Sequence, residues 1–442
     1  MWLEEVSLEN IKCFKKTTLN LKQEGGRAGW VTLLSENGGG KTTLLQSMAL
    51  ALAGPEVASQ LLPRPTGWLR QEGVVGKISC RIHQEPSDSG TFGVDKIRTS
   101  FAYTQHVTGH ERIIIRGKVH TQPGVHESAD RSLSWLRQNA FSSSSKGWFA
   151  AGYGAFRRLT RRSQVLVPSM QQPSRFTNFS TQFAEDEGLA TLENWLMYLD
   201  YQEVKRSKNT STRLKEISVD AINGLLPSSV RFDSIDDEGR ILFDVDGAKV
   251  PTFALSDGYR SVLALAGDLV WRLIEGFPDL SNPLSAHGVV LIDELDIHLH
   301  PVWQRYIATW LQEKFPNIQF IVSTHSPFVA AGAGRDALTL KIIKDNESPN
   351  KIVHDVFALD VDDILKSDAF DLTSTYAPEI QDKLNRYEFL MAKRTRLTTR
   401  QKNELSNLSE FFAIYNPYGI EELPSDFERK INNYMAKQND KS

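Results

Sequence analysis

The stretch WVTLLSENGGGKTTLLQSMALALAG, residues 30 to 54, limits the folds open to this chain more than any other. Trp30 to Leu34 have the length and apolar character of a buried strand, and KTTLLQSMALALA reads as a buried helix that Gly54 stops. Between them Ser35, Glu36, Asn37, Gly38, Gly39 and Gly40 form a glycine-rich connection that runs into Lys41, Thr42 and Thr43. Strand, loop and helix in that order make half of an α/β unit, the context a phosphate-binding loop needs. Glycines let successive backbone N–H groups turn toward one anion, and the helix N-terminus adds its dipole. Lys41 brings a point charge and Thr42 a hydroxyl suited to Mg²⁺. The first glycine usual in such a loop is replaced here by Ser35.

A second stretch, GVVLIDELDIHLH, poses the question of why a buried strand should end on the paired acids Asp293 and Glu294. A phosphate loop answers it. Nucleotide phosphates bring Mg²⁺, a hard cation that takes one or two carboxylates together with waters and phosphate oxygens. Asp293 is the expected metal ligand beside Thr42. Glu294, on the opposite side of the strand end, is expected to orient and polarise an attacking water. His298 and His300 have no further convergent ligand and read as packing or subunit-contact residues rather than a metal site.

The rest of the chain supports the same class. The first 34 residues read as strands, with a turn at Gly25 and Gly26, and ILFDVDGAKVPTFAL reads as strands around an Asp246-Gly247 hairpin turn. Then YRSVLALAGDLVWRL gives a helix, GVVLIDE a strand, PVWQRYIATWLQEKF a helix and IQFIVSTHSP a strand, an alternation that points to a mostly parallel sheet. Residues 60 to 235 are rich in Ser, Gly and Pro loops and are expected to form an inserted, partly helical lobe. The expected domains are therefore a head over 1–345, interrupted at about 60–235, and a helical C-terminal extension over 346–442 as a candidate partner-binding region.

Charge excludes less than it might. The 51 Lys and Arg nearly cancel the 54 Asp and Glu, a formal net of -3, so no global basic field argues for nucleic acid. Cys13 and Cys80 are the only cysteines and have no metal spacing, which suits a reducing compartment. The opening MWLEEVSLEN carries acids where a signal peptide carries positive charge, and no run nears the roughly 20 apolar residues of a membrane span. A soluble, cytoplasmic protein with no membrane partner is expected.

The stretch LSDGYRS puts Ser256 at the N-cap of the next helix and leaves the backbone open at Gly258, a second anion site. With it the chain resembles ABC-type ATPases of the SMC, RecF and OLD class. Ser35 to Thr43 looks like their Walker A motif and Leu255 to Gly258 like their signature. Val289 to Glu294 looks like Walker B with its catalytic glutamate, Leu295-Asp296 like a D-loop, and His325 in STHSP like the switch histidine. All five keep the family's order, although Asp257 and Tyr259 depart from the common LSGGQ.

This resemblance implies a P-loop ATPase head with ATP and Mg²⁺ as cofactors. Residues Ser35 to Thr43, Ser256 and Gly258 would contact nucleotide, Thr42 and Asp293 the metal, and Glu294 and His325 would be catalytic. It also implies a homodimer or higher oligomer in which ATP is sandwiched between heads, Ser256 and Gly258 of one copy closing on the γ-phosphate held by Lys41 of the other. The segments GYGAFRRL and ALDVDDILKSDAFDLTST resemble compact bacterial ATPases that include the Septu defence type, which implies a separate HNH-type nuclease partner. A RecF-like repair ATPase acting on DNA and a transporter's ATP-binding subunit are the alternatives. The long interval between Walker A and signature, and STHSP, disfavour the transporter.

Four features stay open at this level. Gln84 and Gln164 both compete for the Q-loop glutamine of such ATPases. Arg157 and Arg158 could serve phosphate or nucleic acid, but read more readily as a solvated pair. Asp360, Asp362 and Asp363 read as first-turn acids of a helix rather than as a nuclease centre. The run Lys383, Arg386, Lys393, Arg394, Arg396, Arg400 and Lys402 could track phosphates, but its interleaving with Glu388 and Glu404 favours a solvated helix face.

Overall fold

The structure, a computed structural model, describes residues 1–23, 26–93, 97–115, 118–127, 130–142, 145–155, 157, 173–184, 191–205, 208–227, 229–343, 351–393 and 396–415. Its centre is a six-stranded sheet in the order Lys351–Val353, Leu338–Lys341, Trp30–Leu34, Ile318–Ser323, Gly288–Ile292, Phe149–Tyr153. Neighbours run parallel except at the Lys351–Val353 edge. Trp30–Leu34, Gly288–Ile292 and Ile318–Ser323 are buried at every position. Such unbroken apolar runs are what a parallel sheet needs when helices cover both of its faces.

Alternate residues of one strand serve the two faces. Val289 and Leu291 pack with Leu44, Leu45 and Met48 of the helix Lys41–Ala53. Val290 and Ile292 pack on the other side with Leu263, Val270 and Leu311, from the helices Asp257–Gly276 and Pro301–Lys314. Register then fixes what meets at the strands' C-terminal ends. Leu33 lies opposite Ser323, Val322 opposite Ile292, and Ile292 opposite Tyr153. The phosphate loop, the paired acids, the STHSP turn and the segment after Tyr153 therefore all leave the sheet along one edge, where parallel α/β sheets bind ligands. The fold is α/β, a largely parallel sheet with flanking helices.

An antiparallel five-stranded sheet, in the order Phe14–Asn20, Trp2–Ile11, Gly76–His83, Ser100–Ile115, Lys118–Glu127, lies beside it. The buried Gln319 side chain stitches it to the central sheet by accepting from Leu3 N–H at 2.8 Å and donating to Leu3 O at 3.2 Å. Strands are thus as prominent as helices in the stretch read as a partly helical lobe, and Phe149–Tyr153 from that stretch is the edge of the central sheet. At the expected hairpin Asp246 and Gly247 both have positive φ, 52° and 87°, as a type I′ turn requires.

The chain divides into two compact units, residues 1–371 and 372–442. In the first, Asp360 caps the helix Val361–Lys366 by accepting from Asp363 N–H at 2.9 Å, so the acidic cluster serves a helix start. In the second, Pro378–Ala392 and Thr399–Tyr415 pack with Tyr387 against Phe412, ring centres 5.6 Å apart. Arg386 grips Glu404 in a two-pronged contact of 2.8 and 2.9 Å, and Lys383 pairs with Glu379. Two cations of the basic run are thereby neutralised inside the unit, while Arg394 lies outside the described residues. Among the described residues no helix is long and apolar enough to cross a membrane.

Candidate nucleotide site

The phosphate loop is shaped by what its glycines touch. Gly40 is the N-cap of Lys41–Ala53 at φ 95°, and no side chain caps that helix, so its first N–H groups are left for another acceptor. A Cβ on Gly40 would enter the Phe14 ring and lie 2.6 Å from Cys13 Sγ, and one on Gly39 would lie 2.5 Å from Ser35 Oγ. Lys41, a residue 6% exposed, places its ammonium 3.1 Å from Ser35 O, 3.2 Å from Ser35 Oγ and 2.9 Å from His325 Nε2. The serine that replaces the usual glycine thus supplies a contact to the lysine.

Burial pulls the Lys41 pKa below its usual value, against the opposing pull of Asp293, Glu294 and Asp296. The pKa of His325 is lowered by burial first and by the Lys41 charge second. The imidazole is therefore neutral at pH 7 and accepts from the ammonium through Nε2.

The acids are held by the neighbouring strand. Asp293, 5% exposed, accepts from Ser323 Oγ at 2.5 Å, and its N–H donates to Tyr153 O at 2.9 Å. Glu294 is half-buried and has φ 47°, which ends the strand. Its N–H donates to Ser323 Oγ at 2.8 Å, and Leu295 N–H donates to Ser323 O at 3.0 Å. Asp296 accepts from Thr324 Oγ1 at 2.5 Å and from His325 N–H at 3.2 Å. Gln304 donates to Asp296 O at 3.2 Å and accepts from Ser326 Oγ at 2.7 Å, so the D-loop-like turn and the switch-like turn are tied together twice.

Arg157 departs from its expected role. It is 4% exposed rather than solvated; Nη1 donates to Gly154 O at 2.9 Å and Asp293 O at 2.6 Å, and Nη2 donates to Glu294 O at 2.9 Å. Arg158 and Gln164 lie outside the described residues. Gln84 is spent on a turn, donating to Asp88 O at 3.2 Å and Gly90 O at 2.6 Å. Ser323 and Gln304 are the site residues that sequence reasoning missed, while Arg157 was singled out but read as solvated. Only the serine had a local signal, its place next to the Thr-His pair.

Ser256 is the N-cap of Asp257–Gly276, as expected, but its side chain makes no capping bond. It opens with Gly258, His298, His300 and Trp303 onto a cavity of about 500 Å³, which no phosphate-loop residue lines. His300 caps Pro301–Lys314 through Nδ1, 3.3 Å from Val302 N–H. Among the described residues no group of three or more His, Cys, Asp or Glu is placed to hold a metal. A Mg²⁺ carried on Thr42 and Asp293 would fill its shell with water and phosphate, which is its habit. An uncapped helix start, an ammonium, a hydroxyl and a buried carboxylate on one sheet edge suit a nucleoside triphosphate with that ion.

The sequence profile of the family described as "AAA domain, putative AbiEii toxin, Type IV TA system" matches residues 36–331, more than half of the chain. The chain belongs to this family. The match runs from the phosphate loop past His325, so every expected site residue but Ser35 falls within the AAA domain. This AAA domain protein is 26% identical over 441 residues to the Septu protein PtuA of Bacillus mycoides (strain KBAB4), a match covering 98% of this chain and 54% of that one. It is 35% identical over 174 residues to the Retron Vc95 probable ATPase of Vibrio cholerae serotype O1 biovar El Tor, across 38% of this chain and 33% of that one. The chain thus spans about half the length of the first relative and less of the second. The SMC head bound to the C-winged helix domain of ScpA gives a TM-score of 0.48 at 16% identity, over 83% of this chain and 100% of that one.

Proposed function

We propose that this chain is an ATP-hydrolysing head whose nucleotide-dependent pairing controls a separate effector, a nuclease of the HNH type, in bacterial anti-phage defence. The meeting of Lys41, Asp293, Glu294 and His325 at one sheet edge carries the reading, above all the 2.9 Å contact between Lys41 Nζ and His325 Nε2. A phosphate oxygen held by that ammonium is within reach of the imidazole. In this reading the loop N–H groups and Lys41 bind the triphosphate, and Thr42 and Asp293 would hold a Mg²⁺, which would supply positive charge to the phosphate oxygens. Glu294 orients the attacking water and takes its proton. Ser256 and Gly258 serve the nucleotide of a second copy. The names of the relatives, a Septu protein and a retron probable ATPase, support the defence setting. All of these groups lie within residues 1–345, which leaves the C-terminal extension, 346–442, as the candidate region for the effector.

Two variants test the chemistry. Lys41→Ala should abolish ATP binding in a fluorescent-nucleotide titration; normal affinity would remove the loop from the site. Glu294→Gln keeps size but not charge, so ATP should still bind while turnover falls by about 10²–10⁴-fold, the usual contribution of a general base. Unaltered turnover would defeat the glutamate's role. Copurification from the native operon identifies the effector, and recovery of the chain without a nuclease would count against that partner.

A further inference from the structure

We infer that Arg157 is a positioning residue for hydrolysis, which fixes the Glu294 carboxylate by clamping the two peptide groups on either side of it. The inference rests on the reading of Glu294 proposed above. The peptide between Asp293 and Glu294 is held at its carbonyl by Arg157 Nη1, 2.6 Å away, and at its N–H by Ser323 Oγ, 2.8 Å away. The next peptide, between Glu294 and Leu295, is held at its carbonyl by Arg157 Nη2 at 2.9 Å and at its N–H by Ser323 O at 3.0 Å. All four polar groups flanking the Glu294 Cα are therefore held by Arg157 and Ser323, and Ile297 N–H adds a second bond to Glu294 O at 3.1 Å, which leaves Asp293 O as the carbonyl that depends most on the arginine. With both planes held, the direction of the Cα–Cβ bond is set.

The clamp has something to oppose. Glu294 sits at φ 47°, a left-handed conformation that a non-glycine residue keeps only where its surroundings over-determine it. Beyond the last ladder bond, the carbonyls at a strand end need other donors, and an unpaired buried carbonyl is costly. A guanidinium suits the task because its fork spans two acceptors, which a lysine's single nitrogen does not. Burial lowers the Arg157 pKa to about 10, against the pull of Asp293, Asp296 and Glu294, so the group stays charged at neutral pH. Both terminal nitrogens are engaged with carbonyls. Arg157 is thus spent on the backbone, and its third bond, to Gly154 O at 2.9 Å, anchors the clamp to the edge strand Phe149–Tyr153.

The test uses Arg157→Lys and Arg157→Met in the full chain, with Ser323→Ala loosening the amide half of the same clamp. Three quantities are compared with wild type: the ATP dissociation constant, the single-turnover hydrolysis rate, and hydrogen–deuterium exchange across residues 289–298. The inference expects ATP affinity within about threefold of wild type, and hydrolysis slowed about tenfold or more, the scale of a misplaced catalytic group. Lysine should retain more rate than methionine. Exchange should quicken at the Glu294 and Leu295 amides while the central strands stay protected. Wild-type rate and exchange in both arginine variants would overturn it, as would loss of ATP affinity in step with the rate, which would make Arg157 a nucleotide ligand. Should Arg157→Met fail to fold, Arg157→Lys still decides, and Ser323→Ala, which also releases the Asp293 carboxylate, is read by exchange alone. If the wild type hydrolyses no ATP the proposed function falls, whereas the exchange data alone judge the clamp.

Discussion

His325 shows how a single side chain reports on its surroundings. Burial disfavours its imidazolium and the Lys41 ammonium disfavours a second cation beside it, while Asp296, Glu294 and Asp293 pull the other way and lose. Its pKa in the folded chain is therefore below the ordinary 6.5. The unfolded chain takes up this proton first as pH falls, so the unfolded state gains. The stability linked to the neutral ring is complete above about pH 6.5, and it is lost as pH drops through the folded pKa. With no nucleotide added, the melting temperature of wild type should fall more steeply below pH 6.5 than that of His325→Gln. His287, also lowered by burial, titrates in both proteins and cancels in the difference. Parallel curves would show that His325 is not the group held neutral beside Lys41.

Elements meet at close quarters where the helix Asp257–Gly276 begins. A Cβ on Gly258 would lie 2.8 Å from His298 O, a backbone oxygen that no side-chain rotation can move. His298 is already at φ 66°, so the turn after the carboxylate strand has little freedom to retreat. Gly258→Ala should force the helix start off this turn and cost about 1–3 kcal/mol, as overpacking usually does, measured by urea unfolding. ATP binding at the phosphate loop should persist, because that loop stands on other elements. Full stability in the variant would mean the contact is slack.

What is local in sequence and what is assembled by the fold differ in how far the sequence alone reveals them. The loop from Ser35 to Thr43 and the Asp293-Glu294 pair were legible because consecutive residues carry their chemistry and an unbroken apolar strand precedes each. The hairpin of Ser100–Ile115 and Lys118–Glu127 was not, since Thr, His and Gln interrupt the apolar alternation that would mark its strands. The role of Arg157 was out of reach for a different reason. It meets Asp293 across 136 residues, and nothing in GYGAFRRL shows that Phe149–Tyr153 will lie beside Gly288–Ile292 and deliver the arginine to its end.

At the scale of the molecule, one chain presents its two candidate anion sites in different places. Lys41, Asp293 and His325 gather at the sheet edge, whereas Ser256 and Gly258 open with His298 and Trp303 onto a cavity that contains none of them. A helix start whose serine makes no capping bond leaves N–H groups to be satisfied from outside. If a second copy's triphosphate supplies that acceptor, association must depend on nucleotide, and slowing hydrolysis must lengthen it. Glu294→Gln with ATP and Mg²⁺ should therefore run at twice the monomer mass in size exclusion with light scattering, and revert when ATP is withdrawn. Lys41→Ala should stay monomeric under the same conditions. Ser256→Arg places bulk at the helix start without touching the phosphate loop, so it should block pairing while ATP still binds. Pairing that ignores ATP, or that survives Ser256→Arg, would mean the cavity beside His298 is not where the second copy's nucleotide goes.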